Sequence, residues 1–205
     1  MKVDNRTDSV RLTSHRVDFF RGNRDYLRAA DVLAAAPFET PPDSFRFFFK
    51  RIARHPGAWK KLVSPHSSAG TPKAAAALTM TLGQRMERWD FVIDEPALTC
   101  VRTSDIDETS ILADIRVTGD EFFCTLVGGY SLWDFTVAAA RAGFFRDRQW
   151  YLAYIMGNQK CFPPELEGLP LTLRLGRRRT GFIEFDFDLA NMPAGKLGVF
   201  PKINV

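Results

Sequence analysis

The sequence predicts an α+β fold in which an antiparallel sheet wraps around one buried central helix, preceded by a helical N-terminal extension. Three patterns lead to this prediction: an apolar helical segment at residues 131–145, alternating segments from residue 171 to the end, and helical spacing before residue 89. They divide the 205-residue chain into a basic helical extension, residues 1–88, and an α+β domain, residues 89–205.

Charge is distributed unevenly between these two parts. Residues 1–88 hold 16 Lys and Arg against 8 Asp and Glu, whereas residues 89–205 hold 12 against 16. A basic part beside an acidic part favours an anionic partner for the first. The chain has no apolar run long enough to cross a bilayer and no apolar secretory signal at its N-terminus, so we expect a cytoplasmic protein.

Cysteine and histidine positions give no indication of a disulfide framework or a metal site. No cysteine pair has Cys-x-x-Cys spacing, and no histidine has a suitably spaced His, Cys or Glu partner. We therefore expect no metal and no cofactor. The residues concerned are Cys100, Cys124, Cys161, His15, His55 and His66.

Helical spacing recurs in the N-terminal half. Apolar side chains form stripes between basic and acidic ones, and Pro, Ser and Gly separate the stripes. The predicted elements are a helix from near Asn23 to Ala36, a helix over residues 44–55, a short segment over 58–63, a loop over 64–73 and a helix over 72–88. For the last of these, alternation around residues 78–82 leaves a partial strand open.

From Trp89 onwards, period-two alternation becomes the dominant pattern. It is clearest at residues 182–189, where apolar and acidic side chains alternate without interruption. The predicted strands are residues 89–93, 97–103, 110–117, 122–127, 150–156, 171–175, 182–189 and 197–205, with turns at 176–180 and 192–195.

The helix at residues 131–145 is apolar on nearly all sides, which is typical of a buried helix. It follows a Gly128-Gly129 pair, and Ser131 is a favourable N-cap. Its charged residues before Arg146 are Asp134 and Arg141, two turns apart and on one face. Charges on a buried helix require a reason, so this face either projects from an exposed edge or lines a pocket.

The order of these elements resembles the hotdog superfamily over residues 89–205. A strand, a Gly-containing loop, a buried helix and three meander strands follow one another, and the ending LTLRL…FIEFDFDLAN…GKLGVF is similar to that superfamily's last hairpins. Within it, SILADIRVTG followed by GGYS and the helix is similar to the long-chain fatty acyl-CoA thioesterase group of the FcoT type.

This resemblance implies a homodimer that acts on an acyl thioester of coenzyme A or of an acyl carrier protein. Thioester hydrolysis needs a polarised carbonyl and an activated water, and the N-terminus of a buried helix offers N–H groups and a positive dipole. Asp134, in the first turn, is the expected base. The other catalytic candidates are Tyr130 and Glu121, and the substrate-binding candidates are Gly128, Gly129, Ser131, Arg141 and, for phosphates, Arg177, Arg178 and Arg179.

Two other classes of function remain open. A non-catalytic protein of this fold would bind an acyl group or a carrier protein, with the basic N-terminal half docking an acidic surface. A nucleic-acid-associated regulator would use the aromatic and basic residues at 45–61, although helical spacing favours a core role for these aromatics and no nucleic-acid motif accompanies them. The resemblance implies a histidine base for the dehydratases of this superfamily, so a dehydratase is disfavoured because residues 89–205 contain no histidine, whereas a decarboxylase remains open.

Overall fold

The computed structural model describes residues 15–24, 26–62, 74–94, 101–144, 150–179 and 181–201. Strands dominate these ranges, and three α-helices interrupt them. The strands are β1 (Arg16–Val17), β2 (Phe19–Arg21), β3 (Ser44–Phe49), β4 (Gly57–Lys61), β5 (Ala74–Leu82), β6 (Arg85–Ile93), β7 (Val101–Thr103), β8 (Arg116–Thr118), β9 (Glu121–Thr125), β10 (Trp150–Asn158), β11 (Pro170–Arg179), β12 (Phe182–Leu189) and β13 (Met192–Pro201); the helices are α1 (Ala29–Ala34), α2 (Glu108–Leu112) and α3 (Leu132–Phe144).

One antiparallel sheet of eleven strands organises the molecule. Its order is β1-β4-β6-β5-β3-β10-β13-β12-β11-β9-β8, and β2 and β7 form a separate parallel pair. The helices α1 and α3 contact each other, and α3 also packs against β9 and β11. The prediction of an α+β fold with an antiparallel sheet and a central helix is confirmed.

The sheet contains the same sequence of elements twice. A strand, a helix, a second strand and three further strands occur as β1-α1-β3-β4-β5-β6 and again as β9-α3-β10-β11-β12-β13. The second strands of the two halves, β3 and β10, are antiparallel neighbours at the middle of the sheet, with Phe48 opposite Tyr154. The halves differ in two respects. The first half has β2 between β1 and α1, and its strand order is β1-β4-β6-β5-β3, whereas the equivalent order in the second half is β9-β11-β12-β13-β10. The two halves of the sheet are therefore paired with each other within one chain.

The helical interpretation of residues 44–55 is wrong, because residues 44–49 form β3. Phe45 and Phe47 are almost completely buried on the helix side of the sheet, and Arg46 and Phe48 face outwards. The stripe that suggested a helix includes Phe48 and Ile52, which are 40% and 38% exposed. Burial along β3 therefore follows the period of two of a strand, and not the helical period of 3.6 that the sequence pattern indicated.

The helix predicted over residues 72–88 is also wrong, since the described part of it forms β5, a turn at residues 83–84 and the start of β6. Residues 74–78 are all buried although four of them are alanines, which favour helices in isolation. A central strand covered on both faces accepts small side chains, and this tertiary context overrides propensity. The division predicted at residues 88 and 89 falls inside β6, and whether two domains exist stays a prediction.

In the second half, helix 131–145 and the strands at 122–127, 150–156 and 182–189 are confirmed within one or two residues. The strand predicted over 110–117 is wrong for residues 110–115, and its last two residues belong to β8. Residues 108–112 form α2, where the Asp107 side chain accepts hydrogen bonds from the N–H groups of Thr109 and Ser110.

The turns predicted at residues 176–180 and 192–195 are also displaced. β11 continues to Arg179 through an irregularity after Leu175, and β13 already begins at Met192. The second of these turns is made by Ala190 and Asn191, which both have positive φ angles. Residues 97–100 and 202–205, which belong to the strands predicted over 97–103 and 197–205, lie outside the described residues.

Gly198 shows how tightly the outer face of the sheet is packed near β10. A Cβ atom at Gly198 would overlap the Tyr154 ring, and the Tyr154 hydroxyl donates a hydrogen bond to Glu184 on the far side of this glycine. We expect Gly198→Ala to reduce the free energy of unfolding by about 1–3 kcal/mol, the usual cost of overpacking. Urea unfolding measures this loss.

The matched control is the double variant Tyr154→Leu/Gly198→Ala. If the ring is the cause, Gly198→Ala costs much less in the Tyr154→Leu background than in the wild type. Equal costs in both backgrounds would contradict the steric explanation.

Candidate functional site

The N-terminus of α3 is closed by a reciprocal pair of hydrogen bonds between Ser131 and Asp134. The Asp134 N–H donates to Ser131 Oγ at 3.2 Å, and Asp134 Oδ2 accepts from the Ser131 hydroxyl at 2.7 Å and from the Ser131 N–H at 3.1 Å. This is the arrangement of a capping box, with a carboxylate in the third position of the helix. It fixes the Asp134 side chain through Oδ2 and leaves Oδ1 for another contact.

Asp134 Oδ1 faces Arg28, which immediately precedes α1. Arg28 Nη2 and Asp134 Oδ1 are 3.2 Å apart, and the two side chains are only 10% and 8% exposed. Two of the buried atoms at this contact, Arg28 Nη1 and Asp134 Oδ1, have no hydrogen-bond partner among the described residues. A donor and an acceptor are therefore both available at one buried position, which is uncommon because such groups are usually satisfied.

A second buried carboxylate, Asp31, lies on the other side of Arg28. Arg28 is the N-cap residue of α1, so Asp31 is in the third position of α1, as Asp134 is in α3. Asp31 Oδ1 accepts a hydrogen bond from Arg21 Nε at 2.9 Å and lies 3.9 Å from Arg28 Nη1. Burial raises the pKa of Asp31, although the charges of Arg28 and Arg21 oppose the rise; the Asp134 carboxylate adds to it.

The exposed glycine loop leads from β9 to this cluster. Gly128 and Gly129 are exposed, and Gly129 has a φ of +88°, which favours glycine. The Glu167 side chain lies where a Cβ atom of Gly128 would be, so this loop and the residues before β11 pass close together. Tyr130 is half-buried and packs edge-on against Phe135, with ring centroids 6.0 Å apart. The structure thus brings Asp134, Ser131, Tyr130 and both glycines to one end of α3.

Glu121 is not part of this group. In β9, Phe122 and Cys124 are buried towards the helices, and Glu121 alternates to the opposite face of the sheet. There it accepts a hydrogen bond from Arg174 Nε at 2.8 Å, and Arg174 also binds Asp188 at 2.5 Å. Its described contacts are those of a surface ion-pair network.

The arginine candidates are also separate from Asp134. Arg141 is exposed and binds both carboxylate oxygens of Glu108 on α2, at 2.8 and 2.9 Å. Arg177, Arg178 and Arg179 are exposed at the end of β11. The glycine loop lies beside the start of that strand, where the Leu126 N–H donates to the Leu169 carbonyl, so the three arginines are about 26 Å away along the strand.

Two surface cavities of about 410 and 400 Å³ lie elsewhere on the sheet. The first is beside Arg174, Asp188 and Lys196, and the second is beside Lys61, Glu87 and Trp89. In the second, hydrogen bonds from Lys61 above all, and also from Arg85 and Trp89, lower the pKa of Glu87 to about 2. The charged groups beside this cavity are paired with one another, whereas Arg28 Nη1 and Asp134 Oδ1, between α1 and α3, have no hydrogen-bond partner among the described residues.

Other classes of site find little support in the described part of the chain. No three metal-ligating side chains converge there, and none of its helices is long and apolar enough to cross a membrane.

Burial raises the pKa of the Cys124 thiol to about 11 and that of Cys161 to about 12, so both thiols are protonated and unreactive at neutral pH. Phe45 and Phe47 are buried, and so cannot stack on nucleic-acid bases.

No protein-family model and no curated protein sequence matches this chain. Solved structures that are similar to it include thioesterases and dehydratase domains, and one of them is described as having a hotdog fold.

A Thermobifida fusca YX protein assigned as a thioesterase II has 12% identity and a TM-score of 0.47, with 92% of each chain covered. The dehydratase domain of RzxB from Pseudomonas fluorescens has 10% identity and a TM-score of 0.42, covering 90% of this chain and 91% of that one. The acyl-CoA thioesterase II TesB2 from Mycobacterium marinum has 7% identity and a TM-score of 0.38, covering 84% and 86%.

Arg28 and Asp31 were not among the residues predicted from the sequence. A signal for Asp31 existed, because RAAD at 28–31 and SLWD at 131–134 both place an aspartate three residues after an N-cap. It becomes visible only when the repeated order of elements is known. Arg28 carried no such signal, since nothing in a single sequence distinguishes it from the other arginines of the basic half.

The raised pKa of Asp31 predicts a specific dependence of stability on pH. Because the folded pKa exceeds the unfolded value of 3.8, the stabilising contribution of Asp31 is complete below that value and is lost as pH rises through the folded pKa. We expect the free energy of unfolding of the wild type to fall relative to that of Asp31→Asn as pH increases above about 4. Urea unfolding at steps from pH 4 to 8 measures this difference.

Asp105→Asn is the control for this measurement. Burial acts to raise the pKa of Asp105, but the hydrogen bonds from Arg24 and the Ile106 N–H and the charges of Arg24 and Arg28 together outweigh it, and the pKa is lowered. The difference between the wild type and Asp105→Asn should therefore be constant from pH 5 to 8. A constant difference for Asp31→Asn as well would show that Asp31 is ionised at its ordinary pKa.

Proposed function

We propose that this protein hydrolyses an acyl thioester and that Asp134 is the general base. The observation that carries the proposal is the geometry of Asp134, a buried carboxylate in the first turn of a buried helix. Ser131 fixes its Oδ2, and its Oδ1 accepts no hydrogen bond from the described residues. An oriented carboxylate with a free oxygen at a helix N-terminus is suited to activate water beside a carbonyl group.

The reaction follows from these groups. The thioester carbonyl lies at the N-terminus of α3, where the positive end of the helix dipole favours the negative charge that develops on its oxygen. Asp134 accepts a proton from water as the water oxygen bonds to the carbonyl carbon. The carbon–sulfur bond then breaks, and the thiolate takes the proton from Asp134 to leave as a thiol. The products are the carboxylic acid and the thiol, and the carboxylate is regenerated.

The substrate class is an acyl group on coenzyme A or on the phosphopantetheine arm of an acyl carrier protein, as in lipid or polyketide metabolism. The exposed loop at Gly128 and Gly129 allows a narrow thioester arm to approach the helix end closely. A basic first half, with 16 Lys and Arg against 8 Asp and Glu, favours such an anionic ligand. A homodimer remains a proposal, because the sheet pairing that suggested it is made between β3 and β10 of the same chain.

The alternative is a non-catalytic protein of the same fold that binds an acyl group. The observation in its favour is the ion pair itself, since Arg28 stabilises the charge of Asp134 without any reaction taking place. The two functions differ in turnover, which can be measured directly.

We expect Asp134→Asn to lower the rate of acyl-CoA hydrolysis by about 10²–10⁴-fold, the usual contribution of a general base. The substitution preserves the shape of the side chain, and the amide oxygen can still accept hydrogen bonds from Ser131. The measurement is kcat and KM over a panel of acyl-CoA chain lengths, with release of free thiol as the signal.

Asp114→Asn is the matched control, because Asp114 is exposed at the end of α2 and its loss should leave the rate unchanged. Glu121→Gln separates the two acidic candidates: its rate should also be unchanged, because Glu121 faces away from the helices. Loss of turnover in Glu121→Gln but not in Asp134→Asn would contradict the proposal. Binding of acyl-CoA without turnover by the wild type would favour the acyl-binding alternative.

A further inference from the structure

We infer that Arg28 is a catalytic residue of the Asp134 site and that its free N–H group binds the carbonyl oxygen of the thioester. The inference rests on the proposed function, since it names a second group for the same reaction. It also implies that the site is built from both halves of the chain, because Arg28 belongs to the first half and Asp134 to the second.

The hydrogen bonding of Arg28 is incomplete. Its guanidinium carries five N–H donors, and its side chain is nine-tenths buried. Nη2 is 3.2 Å from Asp134 Oδ1, whereas Nη1 is 3.9 Å from Asp31 Oδ1 and donates no hydrogen bond to the described residues. A buried charged donor without an acceptor is costly, so an oxygen atom supplied by a ligand would stabilise it.

The free donor and the free acceptor belong to the same ion pair. Asp134 Oδ1 and Arg28 Nη1 are both buried and lack a hydrogen-bond partner among the described residues, so an attacking water and a carbonyl oxygen that enter this position would satisfy them. In thioester hydrolysis the carbonyl oxygen gains negative charge while the attacking water loses a proton, so one acceptor and one cationic donor are the pair that the reaction requires. The Arg28 guanidinium is permanently charged and cannot itself act as a base.

The backbone of Arg28 is held in place by α1. Its φ of −74° and ψ of 141° are extended, and its carbonyl oxygen accepts the Val32 N–H at 3.0 Å, which is the first hydrogen bond of the helix. The helix is fixed in turn by Trp59, whose indole N–H donates to the Val32 carbonyl at 2.9 Å. A donor supported in this way needs little reorganisation when charge develops on the substrate.

The asymmetry between the two aspartates supports this assignment. Asp31 Oδ1 already accepts a hydrogen bond from Arg21, so the first half offers no free carboxylate oxygen that matches Asp134 Oδ1. Arg28 therefore has one neighbour that is satisfied and one that is not. A carbonyl oxygen at Nη1 would satisfy the Arg28 donor, and the attacking water would satisfy Asp134 Oδ1, without breaking the hydrogen bond from Arg21 to Asp31.

The first experiment measures the kinetics of Arg28→Gln and Arg28→Lys against the acyl-CoA panel. We expect kcat to fall by about 10²–10³-fold in Arg28→Gln, the usual cost of losing a donor to the developing oxyanion. Arg28→Lys keeps the charge but loses the second nitrogen, so it should recover only part of the rate. Arg24→Gln is the matched control, since Arg24 precedes α1 in the same segment but pairs with the exposed Asp105. An Arg28→Gln protein with wild-type kcat would overturn the inference.

The second experiment measures binding without turnover, in the Asp134→Asn background. This background also removes the buried charge that Arg28→Gln alone would leave unpaired, so the double variant is expected to fold; thermal unfolding checks it. The probes are an intact acyl-CoA and its thioether counterpart, which lacks the carbonyl oxygen. If Arg28 binds that oxygen, Asp134→Asn should bind the thioester about 10–100-fold more tightly than the thioether, and Arg28→Gln/Asp134→Asn should bind both equally. The same preference in both proteins would overturn the inference.

The two experiments separate this inference from the proposed function. If the wild type turns over no acyl-CoA but Asp134→Asn prefers the carbonyl-bearing probe in an Arg28-dependent way, hydrolysis is wrong and the Arg28 contact is supported. If hydrolysis depends on Asp134 but neither rate nor binding depends on Arg28, hydrolysis is supported and the inference is wrong. If neither probe binds, both are overturned.

Discussion

The buried ion pair between Arg28 and Asp134 is the constraint on which the candidate site depends. Each side chain is about nine-tenths buried, and a charge in that position is tolerated only beside an opposite charge. Removing one partner of such a pair typically costs about 3–5 kcal/mol, because the other charge remains buried and unpaired. The contact therefore fixes the N-terminal ends of α1 and α3 relative to each other, and every group that could meet a substrate at this end of α3 is placed with respect to it.

The sheet makes this contact possible. Because β3 and β10 are antiparallel neighbours, the two repeats of strand, helix and strand lie side by side, and their helices meet on one face. Aromatic side chains fill the space beneath them: Phe45 of β3 contacts Trp133 of α3 edge-on, with ring centroids 5.5 Å apart. A continuous core thus joins the halves, and the charged groups of α1 and α3 lie at its edge instead of within it.

The local sequence pattern was sufficient to predict α3 and β12 but not β3 and β5. The helix α3 and the strand β12 were predicted almost to the residue, because an all-apolar helix and an uninterrupted alternation each fit one period only. In β3, Phe45 and Phe49 fit both periods, whereas Phe48 fits only the helical one and Phe47 only that of a strand, so the choice depends on which side chains the helices cover. In β5, alanine propensity favours a helix, and only the neighbouring strands reverse it.

The same distinction between local and long-range features explains which residues of the candidate site were found from the sequence. Asp134 could be predicted because a carboxylate beside an N-cap serine is a local feature, readable from four residues. Arg28 could not be predicted, because it precedes Asp134 by more than one hundred residues and its importance comes from the pairing of β3 with β10. Glu121 was a candidate because of its position before the helix in the sequence, but strand alternation turns it to the other face, where Arg174 binds it.

The repeat also explains why only one of two equivalent carboxylates is suited to chemistry. Asp31 and Asp134 occupy the same helical position, but their neighbours differ. Asp31 Oδ1 accepts a hydrogen bond from Arg21 and lies 3.9 Å from Arg28 Nη1, and burial raises the pKa of Asp31. Asp134 has Ser131 on Oδ2, which orients the carboxylate and leaves Oδ1 unsatisfied. The third helical position thus holds an aspartate bonded to Arg21 in α1 and an aspartate with one unsatisfied oxygen in α3, and Arg28 lies between the two.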